Sequence, residues 1–271
     1  MSLPITYLFV PGDRPERFEK ALTAGADAVV VDLEDAVAPA NKERARASVR
    51  SWFDNLPADK RGIVVIRIND SSTQWYADDV ELVSTARIPA VMVPKAQDAQ
   101  GLDPVRRALP SNGILLPLLE TARGIDNAAS VASAQGVQRL VFGTLDYGID
   151  LDLSGDDRGL MYAAARIAHA SREAELVSPV YGVTPAIDDD ERLRADVALG
   201  RAFGFGAKLC IHPRQVAVVR GALLPTPEEV DWARRVVAAA KGNEGSVQLD
   251  GKMVDRPVVL KAMRLLDTAS S

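Results

Sequence analysis

One pattern recurs through most of the chain: a short apolar run, a turn, then a helical stretch. The apolar runs fall at residues 7–10, 28–32, 63–67, 90–93, 114–119, 139–142, 176–181 and 207–211. Helical patterns follow at 16–22, 41–53, 74–85, 98–108, 123–134, 159–173, 189–202 and 213–221. Near-continuous apolar strands, each followed by a helix, predict a parallel sheet covered on both faces. Eight such units in a chain of 271 residues, near the ~250 residues usual for the fold, predict an α/β protein of the (β/α)8 TIM-barrel type. Residues 1–222 are therefore assigned to the barrel, and 223–271 to a C-terminal helical extension. That extension contains a helical pattern at 227–240, a glycine-rich polar stretch at 241–254 read as a loop, and a last helix at 257–266. It is too short and too polar in its middle to bury a separate core, so it is expected to pack on the barrel or on a neighbouring subunit.

Charge narrows the function. A formal net charge of −5 and a pI near 5.2, with no basic block, argue against nucleic acid or an anionic membrane as partner. No apolar run approaches the ~18 residues of a membrane helix. The first residues lack the basic and apolar regions of a secretion signal, so a cytoplasmic protein acting on small molecules is expected. The lone cysteine, Cys210, lies in an apolar run and is read as inert core.

A parallel barrel keeps its chemistry at the C-terminal ends of its strands, so the residues delivered there matter most. The second run ends in Asp32, Glu34 and Asp35, the third in Arg67 and Asn69, and the fourth in Lys95. Glu120 ends the fifth, the loop 143–147 after the sixth brings Asp146, and the eighth leads to His212. Carboxylates outnumber cations, and oxygen donors without cysteine suit a hard divalent cation such as Mg2+. Arg67 suits a substrate carboxylate through its forked donors. Each residue also has a structural reading: a strand-end carboxylate caps the following helix, Arg67 and Lys95 pair with Asp32 or Asp35, and His212-Pro213 is a hinge.

Several stretches in order resemble one family. They are Leu8 to Phe18 (LFVPGDRPERF), Gly25-Ala26-Asp27 with Asp32 to Val37 (DLEDAV), Val65 to Asn69 (VIRIN), Val93 to Ala96 (VPKA), Leu119 to Gly124 (LETARG), Ile211 to Pro213 (IHP) and Gly251 to Asp255 (GKMVD). Together they are similar to the citrate lyase β-subunit-like proteins of the HpcH/HpaI aldolase and citrate lyase superfamily, relatives of malyl-CoA and citramalyl-CoA lyases. The resemblance implies a Mg2+-dependent carbon–carbon lyase or synthase that interconverts a β-hydroxyacyl-CoA thioester with an acyl-CoA and a small 2-oxo acid. It places the metal on Glu120 and Asp146, and the oxo acid's carboxylate or reacting oxygen on Arg67. Phe9, Arg14 and Lys20 match positions that contact the CoA thioester, and Leu145, Ile211 and His212 positions that touch substrate. Asp255 matches the C-terminal catalytic acid/base, carried by an arm that closes over an adjacent subunit in a homotrimer or hexamer.

One departure stands out. Many relatives carry Gly-Ala-Glu-Asp where this chain has Gly143-Thr144-Leu145-Asp146, so an apolar residue replaces an acidic neighbour of the metal ligand. Asp150 and Asp152 beyond it are read as loop or outer groups. Other readings remain: the β-subunit of a citrate lyase complex acting on a citryl-carrier protein, a class II pyruvate aldolase, and a non-catalytic binding protein. The aldolase is disfavoured because Asp35 stands where those enzymes use histidine.

Overall fold

Alternate side chains of a strand face opposite ways, and that parity builds the core. The computed structural model describes residues 3–241 and 245–269. Its strands are β1 (Thr6–Pro11), β2 (Ala28–Asp32), β3 (Val64–Arg67), β4 (Ala90–Val93), β5 (Ile114–Leu119), β6 (Val141–Phe142), β7 (Val180–Tyr181) and β8 (Ala207–Cys210). All pair in parallel and in sequence order, and β8 pairs with β1 to close the barrel. Tyr7, Val30, Val65, Met92, Leu116, Leu118, Val180 and Leu209 fill one core cluster. Their sequence neighbours Leu8, Val29, Val31 and Cys210 are equally buried, as expected for strands covered on the outside by helices. Burial pushes the Cys210 thiol up to about 12, so the residue is inert core.

The helices are α1 (Phe18–Leu22), α2 (Lys42–Asn55), α3 (Ala58–Arg61), α4 (Tyr76–Thr85), α5 (Asp103–Ala108), α6 (Ala122–Asp126), α7 (Ala128–Ala132), α8 (Thr144–Asp150), α9 (Met161–Glu173), α10 (Asp190–Ala202) and α11 (Pro213–Leu223). Three details depart from the sequence-based expectation. The helix predicted at 123–134 breaks at Asn127, whose side chain donates to the Gln97 carbonyl at 2.8 Å. The strand predicted at 176–181 shrinks to two residues, because Pro179 has no N–H for the ladder. Residues 143–147, expected as a loop, instead lead into α8: the Tyr147 N–H bonds the Gly143 carbonyl at 3.0 Å and the Tyr147 ring packs edge-on to Phe142.

The chain divides into two compact units. Residues 3–219 form the first. The second begins at residue 220 and contains α12 (Pro227–Ala240), β9 (Val247–Leu249), β10 (Lys252–Val254) and α13 (Arg256–Ala269). Thr226 starts α12 with a full capping box to Glu229, the reciprocal bonding that satisfies two helix-end N–H groups. The segment read as a polar loop is an antiparallel hairpin turned by Asp250 and Gly251, at φ 52° and 73°. Two consecutive positive φ values are what a tight hairpin turn with the strands' own twist requires. The hairpin lays Val254, Val247 and Leu249 against Ala233, Val236 and Ala262, so this unit has a small apolar cluster of its own. No helix of the described residues is long and apolar enough to cross a membrane.

Arg139, just before β6, is 1% exposed. Its guanidinium donates to the Ser178 carbonyl at 2.8 Å through Nε and to the Pro4 carbonyl at 2.5 Å, and it lies 5.8 Å from the Tyr7 ring centroid. One side chain thus ties the start of the chain to the approach to β7, below the barrel interior. Arg139→Ala leaves these carbonyls unpaired in a buried place. We expect it to lower the unfolding free energy by about 3 kcal/mol, measured by urea denaturation; a loss under about 1 kcal/mol would contradict this tie.

Candidate active site at the barrel mouth

The site begins with a forked ion pair. β2 and β3 are in register at Asp32 and Arg67, so both side chains leave the barrel at one level. Arg67 donates from Nε to Asp32 Oδ1 at 2.7 Å and from Nη2 to Asp32 Oδ2 at 2.6 Å. Its Nη1 lies 2.8 Å from Glu34 Oε2, off line for a hydrogen bond, so that contact is electrostatic. The guanidinium stacks over Phe9, 4.9 Å from the ring centroid. Asp32 also accepts the N–H groups of Glu34 and Ala36, at 2.8 and 3.1 Å. The expected Arg67–Asp32 pair is therefore present, and it aims Arg67 as well as neutralising it.

Glu120 is 2% exposed and does not cap the helix after it. That role falls to Thr121, whose hydroxyl accepts from the Gly124 N–H at 3.1 Å. Glu120 Oε1 instead accepts the Lys95 N–H at 2.8 Å, and Lys95 holds a left-handed φ of 47° to present it. Lysine adopts that conformation only under constraint. On the other side, a Cβ at Gly143 would collide with Glu120 Oε2 and Cβ. Glycine at the end of β6 is what lets this carboxylate stand upright.

Asp146 sits in the first turn of α8. Four residues on, Asp150 Oδ2 accepts the Ala122 N–H at 2.7 Å, tying α8 to the start of α6 just beyond Glu120. Phe9, Arg67, Glu120, Leu145, Asp146 and Ile211 all line one cavity of about 410 Å3, together with Asp32, Asp35, Thr144 and an apolar set including Leu118, Val183 and Leu209. The remaining predicted residues lie elsewhere. Arg14 is exposed, with Asp13 at 4.0 Å, and Lys20 is exposed on α1. His212 is half-buried and its Nδ1 accepts the Arg214 N–H at 3.3 Å. Asp255 belongs to the second unit, where its Oδ1 accepts the Val258 N–H at 3.2 Å. Asn69 is committed to Asp79, Lys42 and the Leu33 carbonyl. Sequence reasoning named Gly143 and Thr144 in the stretch before Asp146 and read Asp150 as a loop or outer group, but it did not show that Gly143 makes room for Glu120 or that Asp150 ties α8 to α6.

Electrostatics at the mouth is unbalanced. Burial, then repulsion from Glu34 and Asp146, raises Glu120 from 4.5 to about 8 against the Lys95 N–H. Burial raises Glu34 to about 7, with Arg67 opposing. Buried carboxylates that resist ionisation mark a place short of positive charge, which a divalent cation would supply. Among the described residues no group of three or more His, Cys, Asp or Glu is arranged to hold a metal. Glu120 and Asp146, the pair that the family resemblance pointed to, both line the cavity, and two carboxylates with waters is the usual Mg2+ pattern.

Residues 6–213 match the HpcH/HpaI aldolase/citrate lyase family. The chain belongs to that family. It is a lyase, and its relatives span its whole length. A citrate lyase subunit beta-like protein of Mycobacterium tuberculosis is 38% identical, over 97% of this chain and 94% of its own. A (3S)-malyl-CoA thioesterase of Cereibacter sphaeroides is 33% identical over the same shares. The crystal structure of CitE from Mycobacterium tuberculosis, in complex with magnesium, acetoacetate and coenzyme A, superposes with a TM-score of 0.88 at 34% identity, covering 98% of both chains. CitE from Mycobacterium tuberculosis is also described with magnesium and pyruvate, and a citrate lyase beta subunit from the same organism with oxaloacetate and magnesium.

The raised carboxylate pKa values fix a direction of pH dependence in the metal-free lyase. Below pH 4.5 Glu120 is protonated whether the chain is folded or not. Between 4.5 and about 8 the unfolded chain releases a proton that the folded one keeps, so stability falls as pH rises through this window. With a chelator present, we expect Glu120→Gln to gain at least about 1 kcal/mol on the wild type between about pH 5 and about pH 8.5. Parallel urea-denaturation curves at the two pH values would sink the assignment.

Proposed function

We propose that this lyase is a Mg2+-dependent carbon–carbon lyase or synthase, interconverting a β-hydroxyacyl-CoA thioester with an acyl-CoA and a small 2-oxo acid. One observation carries the reading: an aimed guanidinium and two carboxylates, Glu120 and Asp146, face one cavity with apolar walls. The ligands of CitE, magnesium with acetoacetate and coenzyme A, support it. Magnesium, held by Glu120 and Asp146, would supply Lewis-acid stabilisation of negative charge on the reacting oxygen.

The protein's own groups supply the rest. Arg67 binds the carboxylate of the oxo-acid portion with N–H groups of Nη1 and Nη2 that Asp32 does not take. It is pre-aimed, so little reorganisation accompanies reaction. In cleavage the β-hydroxyl gives its proton to water at the site, the bond between the hydroxyl-bearing carbon and the carbon next to the thioester breaks, and its electron pair passes to the thioester as an enolate. Asp255 would protonate that enolate, and in the synthetic direction would remove the same proton. In this reading Asp255 is delivered by the arm of an adjacent subunit in a homotrimer or hexamer. Phe9, at the cavity, contacts the thioester end. Arg14 and Lys20, exposed beyond it, meet the anionic portion of CoA.

The name of the Cereibacter relative favours a second reading, hydrolysis of the thioester. Products decide between them: a lyase yields acyl-CoA and oxo acid, a thioesterase yields free CoA and a hydroxy acid. Carrier-protein thioesters in place of CoA would mark the citrate lyase subunit. We expect Glu120→Ala to abolish Mg2+ binding by calorimetry. Asp255→Asn should keep Mg2+ binding yet lower kcat by at least about 100-fold. Full cleavage activity in either variant would overturn its assigned role.

A further inference from the structure

We infer that the oxo acid taken by this site is a monocarboxylic 2-oxo acid with a short alkyl group, and that Leu145 helps enforce that choice. This rests on the lyase reading and extends it to the substrate's far end.

The argument is a count of donors and charges. A guanidinium carries five N–H groups. Arg67 gives two to Asp32, and of the three that remain, one on Nη1 and one on Nη2 form the single open fork, enough for one carboxylate. Among the cavity's lining residues Arg67 is the one cation, against Asp32, Asp35, Glu120 and Asp146. A second substrate carboxylate would therefore meet either these acids or the apolar wall of Leu118, Val183, Leu209, Leu145 and Ile211. Neither replaces the water it would shed. Two further basic side chains, Lys95 and His212, stand outside this lining. Lys95 lines an adjoining polar cavity with Asp70, Ser72 and Tyr76, and its charge is drawn to Glu34 and Glu120. His212, whose Nδ1 accepts the Arg214 N–H, is not among the residues lining the cavity.

Leu145 is the adjustable part of this wall. It neighbours Asp146 in the first turn of α8, lines the cavity, and is still 48% exposed, so a longer polar side chain fits there without disturbing a core. A short alkyl substituent gains contact with the wall; a carboxymethyl group brings an unpaired charge to it.

The test measures binding as well as turnover. Mg2+-loaded protein is titrated calorimetrically with pyruvate, 2-oxobutyrate and oxaloacetate, the last corrected for its spontaneous decarboxylation. The same acids are then assayed for condensation with acetyl-CoA. We expect pyruvate and 2-oxobutyrate to be preferred over oxaloacetate by at least about 100-fold in kcat/KM, with the same order in affinity. Leu145→Arg should narrow that ratio at least about tenfold, chiefly by improving oxaloacetate, while Leu145→Ala should not improve it. Oxaloacetate within about threefold of pyruvate, or an unmoved ratio in Leu145→Arg, overturns the inference. Ordered binding without condensation overturns the lyase reading and leaves the selectivity intact.

Discussion

The architecture of the mouth follows from one electrostatic conflict: several carboxylates are buried within reach of each other with one aimed guanidinium among them. Left to themselves such groups spread apart, take up protons or draw in water. Here the surrounding backbone prevents the first of these. Asp32 is fixed by two N–H groups and by Arg67, and Glu120 is fixed by the Lys95 N–H and the bare face of Gly143. The cost appears as raised pKa values at Glu34 and Glu120 and as the left-handed backbone of Lys95. A site held in this state is ready for positive charge before any arrives, and catalysis by fixed charges depends on that readiness.

The barrel was legible because its signal is repeated and long-range in effect. Apolar runs at even spacing leave few topologies, and right-handed strand–helix–strand connections reduce these further. Strand ends were legible for the same reason, so Glu120, Asp146 and Arg67 were found together. What sequence could not show was how a side chain spends its bonds. The sequence offered Asp32 as a partner of Arg67 but not the forked geometry that aims it, and it did not show that Asn69 belongs to the support beneath α2 and α4. Short elements were lost where a single tertiary contact outweighs local preference. Asn127 breaks a helix by bonding to a neighbouring loop, and Tyr147 draws a glycine-containing stretch into α8. The Asp250-Gly251 turn was a missed local signal, hidden by the polar composition around it.

The two compact units are stabilised on different scales. The first has a barrel core filled from all eight strands. The second has a few buried side chains, Ala233, Val236, Val254 and Ala262, ringed by half-buried ones. A cluster of that size supports little independent stability, so this arm draws its order from a good helix cap, a tight turn and surface ion pairs such as Arg235 with Asp250.

The stretch from Gly143 to Asp146 has a consequence for how such a protein can change over time. Gly143 admits no side chain because Glu120 stands against it, and Thr144 is wedged against Gly182, where a Cβ would strike its hydroxyl. All four adjacent positions line the cavity, and Leu145 is the one that is half exposed, with no side chain or backbone wedged against it as at Gly143 and Thr144. A change at Leu145 therefore alters the cavity wall without moving Glu120, Gly143 or Thr144.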